Sequence, residues 1–151
     1  MKIKVQDLPS LPLLLSLVLF PAITAAQQGA PGGEWPDYGG DLGSTKFAPL
    51  SQIDEINVEN VSVAWMWHSP DDELVAENPR LRPGAFKATP LMVDGVLYIQ
   101  TSLSLLAAID AASGEQLWAF DPLSHEAGRP VNLGFNARGV AHWKEGDDSR
   151  I

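Results

Sequence analysis

The stretch Ala108-Ile109-Asp110-Ala111-Ala112-Ser113-Gly114-Glu115-Gln116-Leu117-Trp118 decides how this chain is read. Asp110 can accept backbone N–H bonds across a turn, Gly114 supplies the positive φ such a turn needs, and Trp118 offers a large flat face to dock on a neighbouring sheet. Apolar segments flank the turn, Leu105 to Asp110 before it and Gln116 to Phe120 after it. Upstream, Ala88 to Val93 reads as a strand closed by Asp94-Gly95, a dipeptide suited to a type I′ hairpin because both turn residues need positive φ. Val96 to Thr101 returns as the partner. The sequence therefore predicts a four-stranded antiparallel meander, each strand paired with the one before it.

That meander, Ala88 to Asp121, spans roughly 34 residues, close to the size of a propeller blade. Val61, Val63, Trp65 and Trp67 alternate with more polar neighbours, which predicts a further half-buried strand. Ser69 to Pro83 is polar, charged and Pro-containing and reads as a long loop, as does Asp121 to about Ala137. A last strand is predicted from Gly139 through Trp143, followed by the turn Glu145-Gly146-Asp147-Asp148. Nothing shows sustained helical periodicity, so the fold class is all-β.

The 151 residues include 13 Gly, 12 Pro and 5 Trp, with 45% hydrophobic residues and no Cys. The last fact excludes disulfides, thiolate metal sites and a lipid-bearing Cys. A formal charge of −9 argues against nucleic acid as a partner, because phosphate binding depends on clustered Lys and Arg. Lys2 and Lys4, the apolar run Leu11 to Phe20, Pro21 and the small residues Thr24-Ala25-Ala26 read as a signal peptide over residues 1–26. The run is shorter than the ~20 residues of a membrane span, which favours a cleaved signal over an anchor. The mature part, residues 27–151, is then expected outside the cytoplasm, in the periplasm for a bacterial source, free or membrane-associated.

The pattern Ala-x-Asp-x-x-x-Gly-x-x-x-Trp from Ala108 to Trp118 resembles the tryptophan-docking motif of quinoprotein propellers, with Ser113 in place of the usual Thr. Trp35-Pro36-Asp37-Tyr38-Gly39-Gly40-Asp41, Thr45 to Ile53, Asn57-Val58 and Val63-Ala64-Trp65 resemble the opening of the dehydrogenase branch. Arg138-Gly139-Val140-Ala141-His142-Trp143 is similar to the Arg-Gly-x-Ala-Tyr-Trp stretch of dehydrogenases that use pyrroloquinoline quinone (PQQ). The resemblance implies an eight-bladed β-propeller, of which only the first blades are present. A ring needs ~4–8 blades, and at ~40–50 residues per blade residues 27–151 supply about three at most. The stop at Ile151, where a strand is expected to begin, is accordingly read as a truncation.

The resemblance further implies oxidation of an alcohol, polyol or sugar, with PQQ and calcium as cofactors and a cytochrome or membrane quinone as electron acceptor. Arg138 would contact the quinone cofactor, since a guanidinium can fork onto a carboxylate. Lys87 stands just before Thr89-Pro90-Leu91, where several relatives carry a cofactor-contacting Glu, and could pair with a PQQ carboxylate. Each has a plainer alternative: Arg138 as a loop residue satisfying carbonyls between blades, Lys87 as a solvated strand-edge lysine. Asn132 and Leu133 occupy about the positions of an adjacent Cys pair found in some alcohol dehydrogenases, which leans the reading towards sugars or polyols. The catalytic Asp and the metal ligands are expected beyond Ile151. His68, His125 and His142 show no metal-ligand spacing. The rival reading is a non-enzymatic periplasmic scaffold or sensor built from the same repeats.

Overall fold

The computed structural model describes residues 29–131 and 134–151. The signal segment, and Asn132 and Leu133, lie outside the described residues.

Eight strands and one short helix follow each other along the described chain. They are α1 (Asp71–Glu77), β1 (Ala85–Phe86), β2 (Leu91–Val93), β3 (Val96–Gln100), β4 (Leu106–Asp110), β5 (Gln116–Phe120), β6 (Asn136–Ala137), β7 (Trp143–Glu145) and β8 (Asp148–Arg150). The central sheet has the order β2-β3-β4-β5, antiparallel throughout, as the sequence predicts. Its first hairpin turns on Asp94 and Gly95, with φ of 51° and 79°, which is the type I′ geometry. β2 starts only at Leu91, three residues later than expected, because Pro90 has no N–H to give to a ladder.

The sheet is buried towards β4 and open towards β5. Ala107, Ala108 and Ile109 are all buried although successive residues face opposite sides, so β4 is covered on both faces. All five residues of β5 are exposed. Trp118 is 42% exposed and meets the Tyr98 ring at 6.0 Å, on its own sheet. Tyr98, Ala108 and Trp118 stand in one cross-strand row, and the small side chain of Ala108 lets the two rings lean together over it.

The segment read as a long loop contains α1. Asp71 is its anchor: the carboxylate is 4% exposed and accepts bonds from the Thr101 hydroxyl at 2.6 Å and the Leu103 N–H at 2.9 Å. Asp71, Asp72 and Glu73 also place negative charge at the positive end of the helix. Leu74 and Val75, with Leu81, then pack on Leu103, Leu105 and Phe135. Two turns are too short to display a periodicity, which is why the pattern gave a loop.

Two other expectations are corrected. Val61 to His68 joins no sheet among the described residues, and Val61 and Val63 are exposed. The segment is held by its indoles instead: Trp65 Nε1 donates to the Ala111 carbonyl and Trp67 Nε1 to Gln116 Oε1, both at 3.1 Å. The final strand begins at Trp143 rather than Gly139 and returns as β8 after the foreseen turn. No described helix is long and apolar enough to cross a membrane.

Candidate functional site

The turn quoted at the outset is built as its residues require. Asp110 Oδ1 accepts from Ala112 N–H at 3.1 Å and from Ser113 N–H and hydroxyl at 2.7 Å each. The Ser113 hydroxyl, then its N–H, hold the Asp110 carboxyl below its ordinary value. Gly114 has φ of 75°, and a Cβ there would stand 2.5 Å from the Trp65 ring. The aromatic that docks on this turn is therefore Trp65, from an earlier segment. At the other edge Trp35 exchanges backbone bonds with Met92 at 2.8 and 3.0 Å, which ties the opening stretch to β2.

The two residues singled out for a cofactor, Lys87 and Arg138, lie 51 positions apart, and each follows a short strand away from this turn. β1 and β6 form a parallel pair with Ala85 opposite Asn136 and Phe86 opposite Ala137. Lys87 and Arg138 are the residues that follow these two strands, just past the end of the ladder. Both are exposed. The ion pairs among the described residues are His125–Asp121, Lys144–Asp94 and Arg150–Asp148, and include neither.

This junction depends on close backbone approaches. Gly84, which precedes β1, lies so near the Phe135 carbonyl that a Cβ would fall 1.4 Å from the oxygen. Its N–H donates to the Ser102 carbonyl at 3.1 Å. Gly139 adopts φ of 116°, where a Cβ would meet the Thr89 carbonyl oxygen at 3.0 Å. Gln100, the last residue of β3, accepts the backbone N–H groups of both Arg138 and Gly139 at 3.2 Å through Oε1. One side chain of the central sheet thus fixes the backbone that carries the guanidinium. Asn136 adds an unusual feature: its Oδ1 is buried and has no hydrogen-bond donor among the described residues.

Sequence reasoning named Lys87 and Arg138 but missed Gly84, Gln100 and Asn136. No local signal marks them, because each acts through a partner distant in the chain. A groove lined by Trp67, Asp71, Phe86, Ile99 and Thr101 flanks β1 without including either cation. Among the described residues no group of three His, Asp or Glu is arranged to hold a metal ion. His125 Nε2 lies 2.9 Å from Asp121, and His142 Nε2 lies 3.1 Å from the Ser149 hydroxyl.

Residues 35–151 match the family model for the PQQ glucose/ethanol/alcohol dehydrogenase β-propeller domain. The chain is 38% identical over 123 residues to the quinohemoprotein alcohol dehydrogenase ADH IIB of Pseudomonas putida, covering 81% of this chain and 16% of that protein. It is 37% identical over 91 residues to the quinoprotein glucose dehydrogenase of Escherichia coli strain K12, covering 59% and 11%. The crystal structure of the quinohemoprotein alcohol dehydrogenase from Comamonas testosteroni is similar at 32% identity and a TM-score of 0.47, over 59% of this chain and 12% of that one. The chain thus spans no more than 16% of the length of these relatives. With a family model matched along most of its length and a blade-sized antiparallel meander at its centre, the chain belongs to the PQQ-dependent glucose/ethanol/alcohol dehydrogenase β-propeller family.

Proposed function

We propose that this chain is the amino-terminal part of a PQQ-dependent dehydrogenase that oxidises a hydroxyl of an alcohol, polyol or sugar, and that Arg138 holds the quinone cofactor. The observation that carries the assignment of Arg138 is an exposed guanidinium with no carboxylate partner among the described residues, on a backbone clamped by Gln100 and by the Gly139–Thr89 contact.

The residues at the junction fit the group. PQQ is a tricarboxylate, and a planar guanidinium matches a carboxylate with two parallel N–H···O bonds. The buried Asn136 Oδ1 has no donor among the described residues, and PQQ carries a pyrrole N–H. When bound, PQQ supplies the hydride acceptor of the reaction. The contribution of this chain is to bind and orient. Arg138 neutralises a carboxylate, Gln100 keeps the Arg138 backbone in place, and Gly139 allows the close passage at Thr89. The catalytic carboxylate base and the calcium ligands are assigned to parts of the protein outside this chain, in a ring of eight blades.

The same reading gives the protein a signal peptide over residues 1–26, a periplasmic location and a cytochrome or membrane quinone as electron acceptor. Its support is the Lys2-to-Ala26 pattern, together with relatives named as quinohemoproteins and as a 1-butanol dehydrogenase (cytochrome c).

Titration of the full-length apo protein with PQQ in the presence of calcium tests the proposal. Saturable binding that Arg138→Ala weakens by about tenfold or more, the loss of roughly 1.4 kcal/mol, is the expected result. Absence of saturable binding by the unmutated protein overturns it.

A further inference from the structure

We infer that Asp71, at the start of α1, is a positioning residue for the β1–β6 junction and acts on it through the turn between β3 and β4. The inference rests on the reading above, in which that junction carries the backbone of the cofactor-binding residue. Asp71 is 4% exposed, and none of the ion pairs among the described residues includes it. Burying a carboxylate is costly unless its oxygens are hydrogen-bonded. Here each oxygen takes one donor of the turn, Oδ1 the Thr101 hydroxyl at 2.6 Å and Oδ2 the Leu103 N–H at 2.9 Å. Leu74 and Val75 already fasten the helix by apolar packing. The carboxylate adds what packing does not supply, a fixed location for two directional donors of the turn.

That turn is where three parts of the molecule meet. Within it, the Thr101 hydroxyl accepts from the Leu105 N–H at 3.0 Å and the Thr101 N–H donates to the Leu105 carbonyl at 2.8 Å. Outward, the Ser102 carbonyl accepts the Gly84 N–H at 3.1 Å, at the entry to β1. Gln100, the residue before Thr101, accepts the N–H groups of Arg138 and Gly139 at the exit of β6. Leu103 and Leu105 pack with Phe135, whose carbonyl faces Gly84. Both strands of the junction are therefore tied to one turn, and Asp71 pins that turn from a helix that lies outside the junction. A shift of the turn displaces the supports of both strands together.

The test uses the full-length apo protein and two readouts, PQQ titration with calcium and amide hydrogen exchange mapped by mass spectrometry. Asp71→Ala should raise the Kd for PQQ about fivefold and speed exchange at Gly84, Arg138 and Gly139. Asp71→Asn can still accept from Leu103 through Oδ1 and donate to Thr101 Oγ1 through its amide, so it should restore both readouts to within about twofold of the parent. Gly114→Ala controls for general destabilisation, because its clash with Trp65 lies at the opposite end of β4 from the turn. It should lower the unfolding midpoint and leave both readouts near the parent values. If Asp71→Ala does not fold, Thr101→Val, which deletes the hydroxyl at similar volume, should move both readouts in the same direction. Parental Kd or parental exchange at the three amides in these variants, or an equal change in Gly114→Ala, overturns the positioning role. If Arg138→Ala is weakened in the same series, the dehydrogenase reading stands without it. If the parent itself does not bind PQQ, both fall.

Discussion

The central sheet and the β1–β6 junction are built on opposite plans. In the sheet every strand pairs with its sequence neighbour, each connection is a short turn, and the middle of β4 is buried on both faces. At the junction two residues pair in parallel with two others about 50 positions away. The sheet is secured by ladders and by the Asp110–Ser113–Gly114 turn under Trp65. The junction is secured by glycine clearances and by one glutamine. What the contrast teaches is a division of labour: the local, redundant part is the scaffold, and the sparse, long-range part carries the backbone of the residues proposed to hold the cofactor.

The difference makes the junction the more fragile of the two. Gly84→Ala should have the largest effect, since its Cβ would lie 1.4 Å from a backbone oxygen that cannot rotate away. Overpacking of this kind costs about 1–3 kcal/mol, and here the β1–β6 register should be lost with it. PQQ titration of the full-length protein should show at least about a tenfold loss of affinity. Unchanged affinity would show that the register does not organise the site.

Gly114→Ala should have the reverse signature. It forces a side chain into positive φ and into the Trp65 ring, so the unfolding free energy should drop by about 1–3 kcal/mol. PQQ affinity should stay near the parent value. A joint fall of stability and affinity would mean that the two regions are not separable.

The smallest effect belongs to pH. Ser113 holds the Asp110 carboxyl below its ordinary 3.8. A carboxylate lowered in the folded state stabilises it above the ordinary value, and that stabilisation is lost as pH falls through the lowered one. Asp110→Asn should therefore lower Tm slightly at neutral pH, with the gap from the parent closing as pH drops below about 3.8. A gap that is constant with pH would assign the turn's contribution to geometry alone.

The same contrast explains what the sequence disclosed. Asp94-Gly95 and Asp110-to-Gly114 declare their turns through residue types with special φ or local acceptors, so the meander was legible nearly strand by strand. Trp118 was read as an indole for a neighbouring sheet and is half-exposed on its own, while the indole over Gly114 is Trp65, because an indole does not reveal in sequence which turn it will cover. Val61 to His68 alternates like a strand, yet its described partners are two indole hydrogen bonds rather than a ladder. α1 escaped notice because its stability comes from the buried Asp71 and its bonds to Thr101 and Leu103, far along the chain. Lys87 and Arg138 were legible only as isolated cations. The pairing of the strands that precede them comes from Gly84 fitting against Phe135 and from Gln100 reaching the Arg138 backbone, and neither leaves a periodic trace.

The most direct measurement of the central claim, that the β1–β6 register organises the junction and continues past Phe86 and Ala137 to residues 87 and 138, is a disulfide trap. The full-length Lys87→Cys, Arg138→Cys double variant would be oxidised and its linkages mapped by mass spectrometry of non-reduced peptides. Directly opposed positions on paired strands fall within the 4.4–6.8 Å Cα separation that a disulfide spans. The account predicts rapid, near-complete formation of the 87–138 link with the far-UV spectrum retained. Free thiols at both positions under conditions that oxidise a solvent-exposed control pair would contradict it.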